Sequence, residues 1–207
     1  MKAILSAAVA VLTLALAGSA AAALVPSVYD PDHTGCVSST YAGGVLHLAK
    51  SCATSTNAAA QADLTGLAGQ SFTSATFTLA NAGQCRGGSP RFNVVTSAGT
   101  FFLGCNNVAP TTGSDGTVTY TFTAQTLAAA GQQVPTPTGT IQSVQIVLDV
   151  QGSADLTKIA VNGTPQVPAP TTKDACKKGG WKPLGFRNQG QCVSWLNHHV
   201  TQAGKHR

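Results

Sequence analysis

Hydrophobic and polar residues alternate with period two over several short stretches, the pattern of half-buried antiparallel strands. The alternation is cleanest from Thr117 to Ala124, where Val118, Tyr120 and Phe122 are separated by threonines. Phe72 to Ala80 sets Ala75, Phe77 and Leu79 on one face and Thr76 and Thr78 on the other. Ile141 to Val150 repeats the pattern through Val144, Ile146, Leu148 and Val150. Val45 to Ala49 and Leu156 to Val161 add two more strands, the second ending at an Asn162-Gly163 turn. Arg91 to Thr96 and Thr100 to Leu103 flank Ser97-Ala98-Gly99, which reads as a hairpin loop. Gln125 to Ala130 reads as a short helix, and segments rich in Gly, Pro and Asn separate the strands. The expected fold of residues 24–164 is all-β, an antiparallel sandwich of the jelly-roll-like kind.

Both ends break this pattern. Lys2, the apolar run Ala3 to Ala17 and the small residues Ala21-Ala22-Ala23 have the layout of a secretory signal over residues 1–23. The run is short for a bilayer span, and no second apolar stretch of spanning length follows. An exported chain without a transmembrane segment is expected, secreted or associated with the cell wall. Residues 165–172, Pro-Gln-Val-Pro-Ala-Pro-Thr-Thr, read as a proline-rich linker. Residues 173–207 read as a separate basic module holding both tryptophans, Trp181 and Trp195.

Composition sharpens the picture. Charged residues make up 9% of the chain and Glu is absent, which excludes a charged helical bundle, while 43% hydrophobic residues exclude charge-driven disorder. The charge is unevenly placed. Residues 173–207 carry seven basic groups and one acid, Asp174, for a net +6, whereas residues 24–171 have a net charge of −2.

Export also decides how the cysteines read. Cys36, Cys52, Cys85, Cys105, Cys176 and Cys192 are even in number, and an oxidising compartment turns them into disulfides. Six cysteines allow 15 connectivities. Sequential pairing is expected because each pair brackets a segment able to fold back on itself. Zinc is the alternative, but no Cys-x-x-Cys spacing is present. In the tail, a Cys176–Cys192 bridge would close a loop around Trp181 and Phe186, and Val193 to His199 would form a short helix carrying Trp195.

Groups able to run catalysis are scarce. Every acid is an Asp, and Asp115 sits in the turn sequence Gly-Ser-Asp-Gly. His33 and His47 are present, but no Gly-x-Ser-x-Gly elbow accompanies them. No enzyme and no cofactor are expected. Asp30-Pro-Asp32-His-Thr34-Gly35 matches the first half of a calcium loop, with Tyr41 where a bidentate Glu belongs. Asp30, Asp32 and Asp155 are therefore partial calcium candidates, and a plain polar turn before Cys36 is the favoured reading.

For ligand binding, Phe101 and Phe102 must point to opposite faces of a strand, so one can stand exposed beside Arg91 and Asn93. Arg91, Asn93, Phe102, Trp181 and Trp195 are the candidate contact residues, with a place in a small core the favoured reading for Trp181. The expected partner is a glycan or an anionic cell-wall polymer, and export argues against nucleic acid.

Two segments carry a resemblance. Cys176-Lys177-Lys178-Gly179-Gly180-Trp181 followed by Asn188-Gln189-Gly190-Gln191-Cys192 resembles a short Cys–Gly-Gly-Trp–Asn-Gln-Gly–Cys element near the C-termini of exported bacterial, often actinobacterial, proteins. Gly88 to Val95 and the Phe101 to Cys105 strand resemble an uncharacterised family of secreted bacterial β-sandwich proteins. These resemblances imply export and fold. They imply no activity.

Overall fold

The computed structural model describes residues 23–130, 134–168, 170, 172–182 and 188–199. Residues 1–22 of the expected signal segment lie outside the described residues. So do Phe186 and the side chains of Trp195, His198 and His199.

Two sheets pack face to face. In chain order the strands are β1 (Ala23–Tyr29), β2 (Val37–Ala42), β3 (Val45–Lys50), β4 (Ala59–Thr65), β5 (Ser74–Leu79), β6 (Arg91–Thr96) and β7 (Gly99–Gly104). They continue with β8 (Thr111–Thr112), β9 (Val118–Thr123), β10 (Ile141–Leu148), β11 (Gly152–Val161), β12 (Thr164–Pro165) and β13 (Val167–Pro168). One sheet has the order β13-β1-β4-β10-β6-β7, and the other β2-β3-β11-β5-β9-β8 with β12 beside β11. All pairings are antiparallel except β1 with β13. The chain crosses repeatedly between the sheets. The expected all-β sandwich is the fold.

Alternation explains the core. Phe77 on β5 lies 5.5 Å from Phe92 on β6 of the opposite sheet, and 5.5 and 5.9 Å from Tyr120 and Phe122 on β9. Leu24, Leu46, Leu48, Val94, Ile146 and Leu156, all fully buried, extend this cluster, with Leu64 near its rim almost as well covered. Helix α1 (Ala124–Ala129) starts at Thr123, whose hydroxyl accepts from the Thr126 backbone while the Thr126 hydroxyl accepts from the Thr123 backbone. This reciprocal cap satisfies two donors that a helix start otherwise leaves open.

Three disulfides join Cys36 to Cys52, Cys85 to Cys105 and Cys176 to Cys192, the sequential pairing expected from the spacing. The last one anchors a separate small cluster of Cys176, Cys192 and Leu196, with Trp181 and Val193 packed on it. Helix α2 (Gln189–His199) supplies Cys192, Val193 and Leu196 to it. Among the described residues no helix is long and apolar enough to cross a membrane.

Residues at both ends of the sandwich pair with one another. Ala23, assigned above to the signal segment, opens β1 and is buried. The proline-rich segment 165–172 begins inside the sandwich: Val167 and Pro168 pair with Ala23 and Leu24, and Gln166 is buried. A sheet edge tolerates Pro because one side of the strand needs no donors.

Candidate functional site

The two outer faces differ in chemistry. On the sheet containing β5 and β9, cross-strand register aligns Thr157, Thr78 and Thr119, and then Thr76 with Thr121. Their hydroxyls bond one another or the backbone: Thr78 to Thr119 at 2.8 Å, Thr76 to the Tyr120 carbonyl at 2.9 Å. That face is largely self-satisfied.

The face containing β4, β10 and β6 carries longer polar side chains. Register places Asp63, Gln145, Asn93 and Phe102 in one row across four strands. Gln61, Val147 and Arg91 form the adjacent row. The rows are knitted together. Asp63 accepts from the Ser27 hydroxyl at 2.9 Å and from Gln145 Nε2 at 2.7 Å. Arg91 Nε donates to Asn93 Oδ1 at 2.9 Å, and its Nη1 lies 2.6 Å from Asp149 Oδ2. The same guanidinium stands 5.5 Å above the Phe102 ring, which is 54% exposed. Arg91, Asn93 and Phe102 are thus brought together, and Phe101 packs against the core instead.

A groove of about 530 Å³ lies beside this network. Val147 is in its floor, Arg91, Asn93 and Asp149 form one side, and Tyr29 and Gln61 the other. Residues Thr54 to Ala58, in the loop before β4, make a raised wall. Beyond Arg91 and Gly87 a second hollow of about 350 Å³ continues to Phe102 and Asn106. Tyr29, 48% exposed, lines the first hollow and Phe102 the second, with Arg91 and Gly87 shared between them. Four strand spacings separate β1 from β7, about 19 Å across the sheet at roughly 4.8 Å each. Gln61, which makes no side-chain hydrogen bond among the described residues, also lines the groove. Arg91 is paired with Asp149, so its guanidinium offers hydrogen bonding and ring stacking more than free charge.

The calcium candidates do not converge. Among the described residues no three His, Cys or Asp side chains cluster in a way that could hold a metal ion. Asp30 instead accepts from the Thr34 and Gly35 backbone N–H groups at 2.9 and 2.8 Å and from the Thr34 hydroxyl, shaping a turn. Asp32 is exposed in the same turn. Asp155 is bound by His47 Nδ1 at 2.7 Å and Gln84 Nε2 at 3.1 Å, whereas Asp149 holds Arg91. The Asp115 carboxylate likewise accepts from the Thr117 backbone and hydroxyl.

The Thr34 backbone N–H holds the Asp30 carboxyl below the usual carboxylate range; desolvation opposes it next, and the Gly35 N–H, the Thr34 hydroxyl and nearby His33 add smaller lowering effects. A depressed folded value means the ionised form supports the turn. Its contribution is complete above the unfolded carboxylate value and disappears as pH falls through the lower folded one. A carbon-detected titration should give Asp30 a midpoint below that of a free Asp side chain, and Asp30→Asn should remove this part of the acid sensitivity. A normal midpoint would refute the turn's role.

Trp181 packs on the Cys176–Cys192 cluster with Lys182 Nζ 5.6 Å from its ring, so it acts as a small core there. Tyr29, Lys50, Gln61 and the Thr54–Ala58 wall are groove residues that the sequence pattern alone does not reveal. The chain matches no protein-family model, no curated protein and no solved structure. Function must be argued from the site.

Proposed function

We propose that this chain is an exported, non-catalytic binding protein of the cell envelope or surrounding medium that holds a glycan in the groove between Tyr29 and Phe102. The observation carrying this reading is a pair of adjoining hollows that share Arg91 and Gly87, with an exposed ring in each and amide groups between. Sugar rings present apolar C–H faces that stack on aromatic rings, and hydroxyls that pair with Asn, Gln and Arg side chains. Recognition sites commonly combine such an apolar bed with a few placed polar groups. The fold is common to many functions, so the argument rests on the groove and not on the sandwich. Three disulfides and the signal-like N-terminus support export.

The +6 charge of residues 173–207 favours a complementary reading, in which the tail adds attraction to an anionic wall polymer. That contribution weakens with salt, because exposed charges are screened over about 8 Å at physiological ionic strength. A hydrolase draws its only support from His47 and Asp155. That pair lies on the outer face opposite the groove, and His47 makes no other hydrogen bond among the described residues.

Calorimetric titration of the full chain with cellohexaose, xylohexaose and laminarihexaose tests the groove. At least one should bind, and Arg91→Ala or Tyr29→Ala should weaken it tenfold or more, equivalent to about 1.4 kcal/mol. Unchanged affinity in both variants would remove the groove from the account.

A further inference from the structure

Lys50 is the largest charged side chain in the sandwich interior, 1% exposed, and no carboxylate is paired with it among the described residues. It follows Leu46 and Leu48 along β3 on the inward face. Its ammonium donates to four backbone carbonyls: Thr54 at 3.2 Å, Thr56 at 2.7 Å, Ala58 at 2.8 Å and Asp149 at 2.9 Å. Burying a charge is costly unless it is fully hydrogen-bonded. Three N–H donors facing four oxygens make the group act as a small cation in a carbonyl cage, sharing its hydrogens among them. Three of these carbonyls belong to the raised wall of the groove. The fourth belongs to the residue whose carboxylate orients Arg91.

We infer that Lys50 is the positioning residue of the groove, an internal cation that folds the Thr54–Ala58 wall around itself and sets Asp149 against Arg91. The inference rests on the groove reading for its functional half and on the carbonyl cage for its structural half. The wall has few other ties. Thr56 N–H donates to the Ala53 carbonyl, Ala58 N–H to the Thr56 carbonyl, and Gln151 N–H to the Thr54 hydroxyl. Without a cation the four carbonyls lose their shared donor; Thr56 keeps the Ala58 N–H, but the buried Ala58 carbonyl then needs water, and admitting it loosens the wall. Met at this position keeps the length and apolar stem of Lys and deletes only the charge and its donors.

Two measurements on the full-length protein separate the halves. In the wild type, nitrogen-15 spectra should show a Lys50 ammonium with slowly exchanging protons coupled to the carbonyl carbons of Thr56, Ala58 and Asp149. In Lys50→Met, amide exchange of Thr56, Ala58 and Gln151 should accelerate at least tenfold while β9 amides keep their protection. Affinity for whichever hexaose the wild type binds should fall at least tenfold. An ammonium that exchanges like a surface lysine, or wall amides unchanged in Lys50→Met, would overturn the inference. If that variant does not fold, the wild-type ammonium signal alone decides. Accelerated wall exchange with undiminished hexaose affinity would overturn the positioning role. A wild type that binds none of the hexaoses would instead contradict the groove reading, and the exchange data would still test the cage.

Discussion

Phe77→Ala should remove about 3–5 kcal/mol of stability, a large share of the roughly 5–15 kcal/mol typical of a domain. Phe77 is fully buried at the middle of the sandwich, where it touches Phe92 across the sheets and Tyr120 and Phe122 beside it. Deleting the ring costs its transfer from water and leaves a cavity that stiff sheets cannot close. It also removes three tilted ring contacts, which contribute beyond area alone. Phe77→Leu retains most of the volume and should cost clearly less. Urea titration would read this as a lower midpoint at an unchanged slope. A loss below 1 kcal/mol for Phe77→Ala would mean that the sheets do not meet around this ring.

Replacing Cys176 and Cys192 together by Ser should unfold the C-terminal unit and leave the sandwich transition unchanged. Among the described residues the unit's buried cluster consists of Cys176, Cys192 and Leu196, supported by Trp181 and Val193. So small a cluster needs a covalent staple, and a disulfide with a sequence separation of 16 contributes about 3 kcal/mol in the chain-entropy view. Amides of Gln189 to Asn197 should become unprotected in the variant. Persistent protection there would show that contacts other than the staple hold the helix.

The strands easiest to read from sequence are those whose inward residues are large. On β9, Val118, Tyr120 and Phe122 contrast sharply with the intervening threonines, and β6 is legible for the same reason. β4 follows the same rule, with Ala60, Ala62 and Leu64 inward and Gln61 and Asp63 outward. Alanine, however, is small and helix-favouring, so the alternation carries little contrast. β1 is masked by its position at the end of an apolar run and by Pro26. Arg91, Asn93 and Phe102 could be grouped because they lie on a hairpin, where local sequence fixes register. Tyr29 and Gln61 reach the same face from strands distant in sequence, which only the sheet order reveals. Lys50 left one trace, since it continues the inward series Leu46 and Leu48 by two residues. An apolar-only pattern stops at Ala49 and passes it by.

The most direct measurement is a backbone and side-chain amide map of the full-length protein titrated with the hexaose it binds best. Shifts concentrated at Gln61, Arg91, Asn93, Phe102 and the Thr54–Ala58 wall, with the Thr76 and Thr121 face silent, are the result this account predicts. Shifts confined to the basic tail or to the threonine face, with the groove silent, would contradict it.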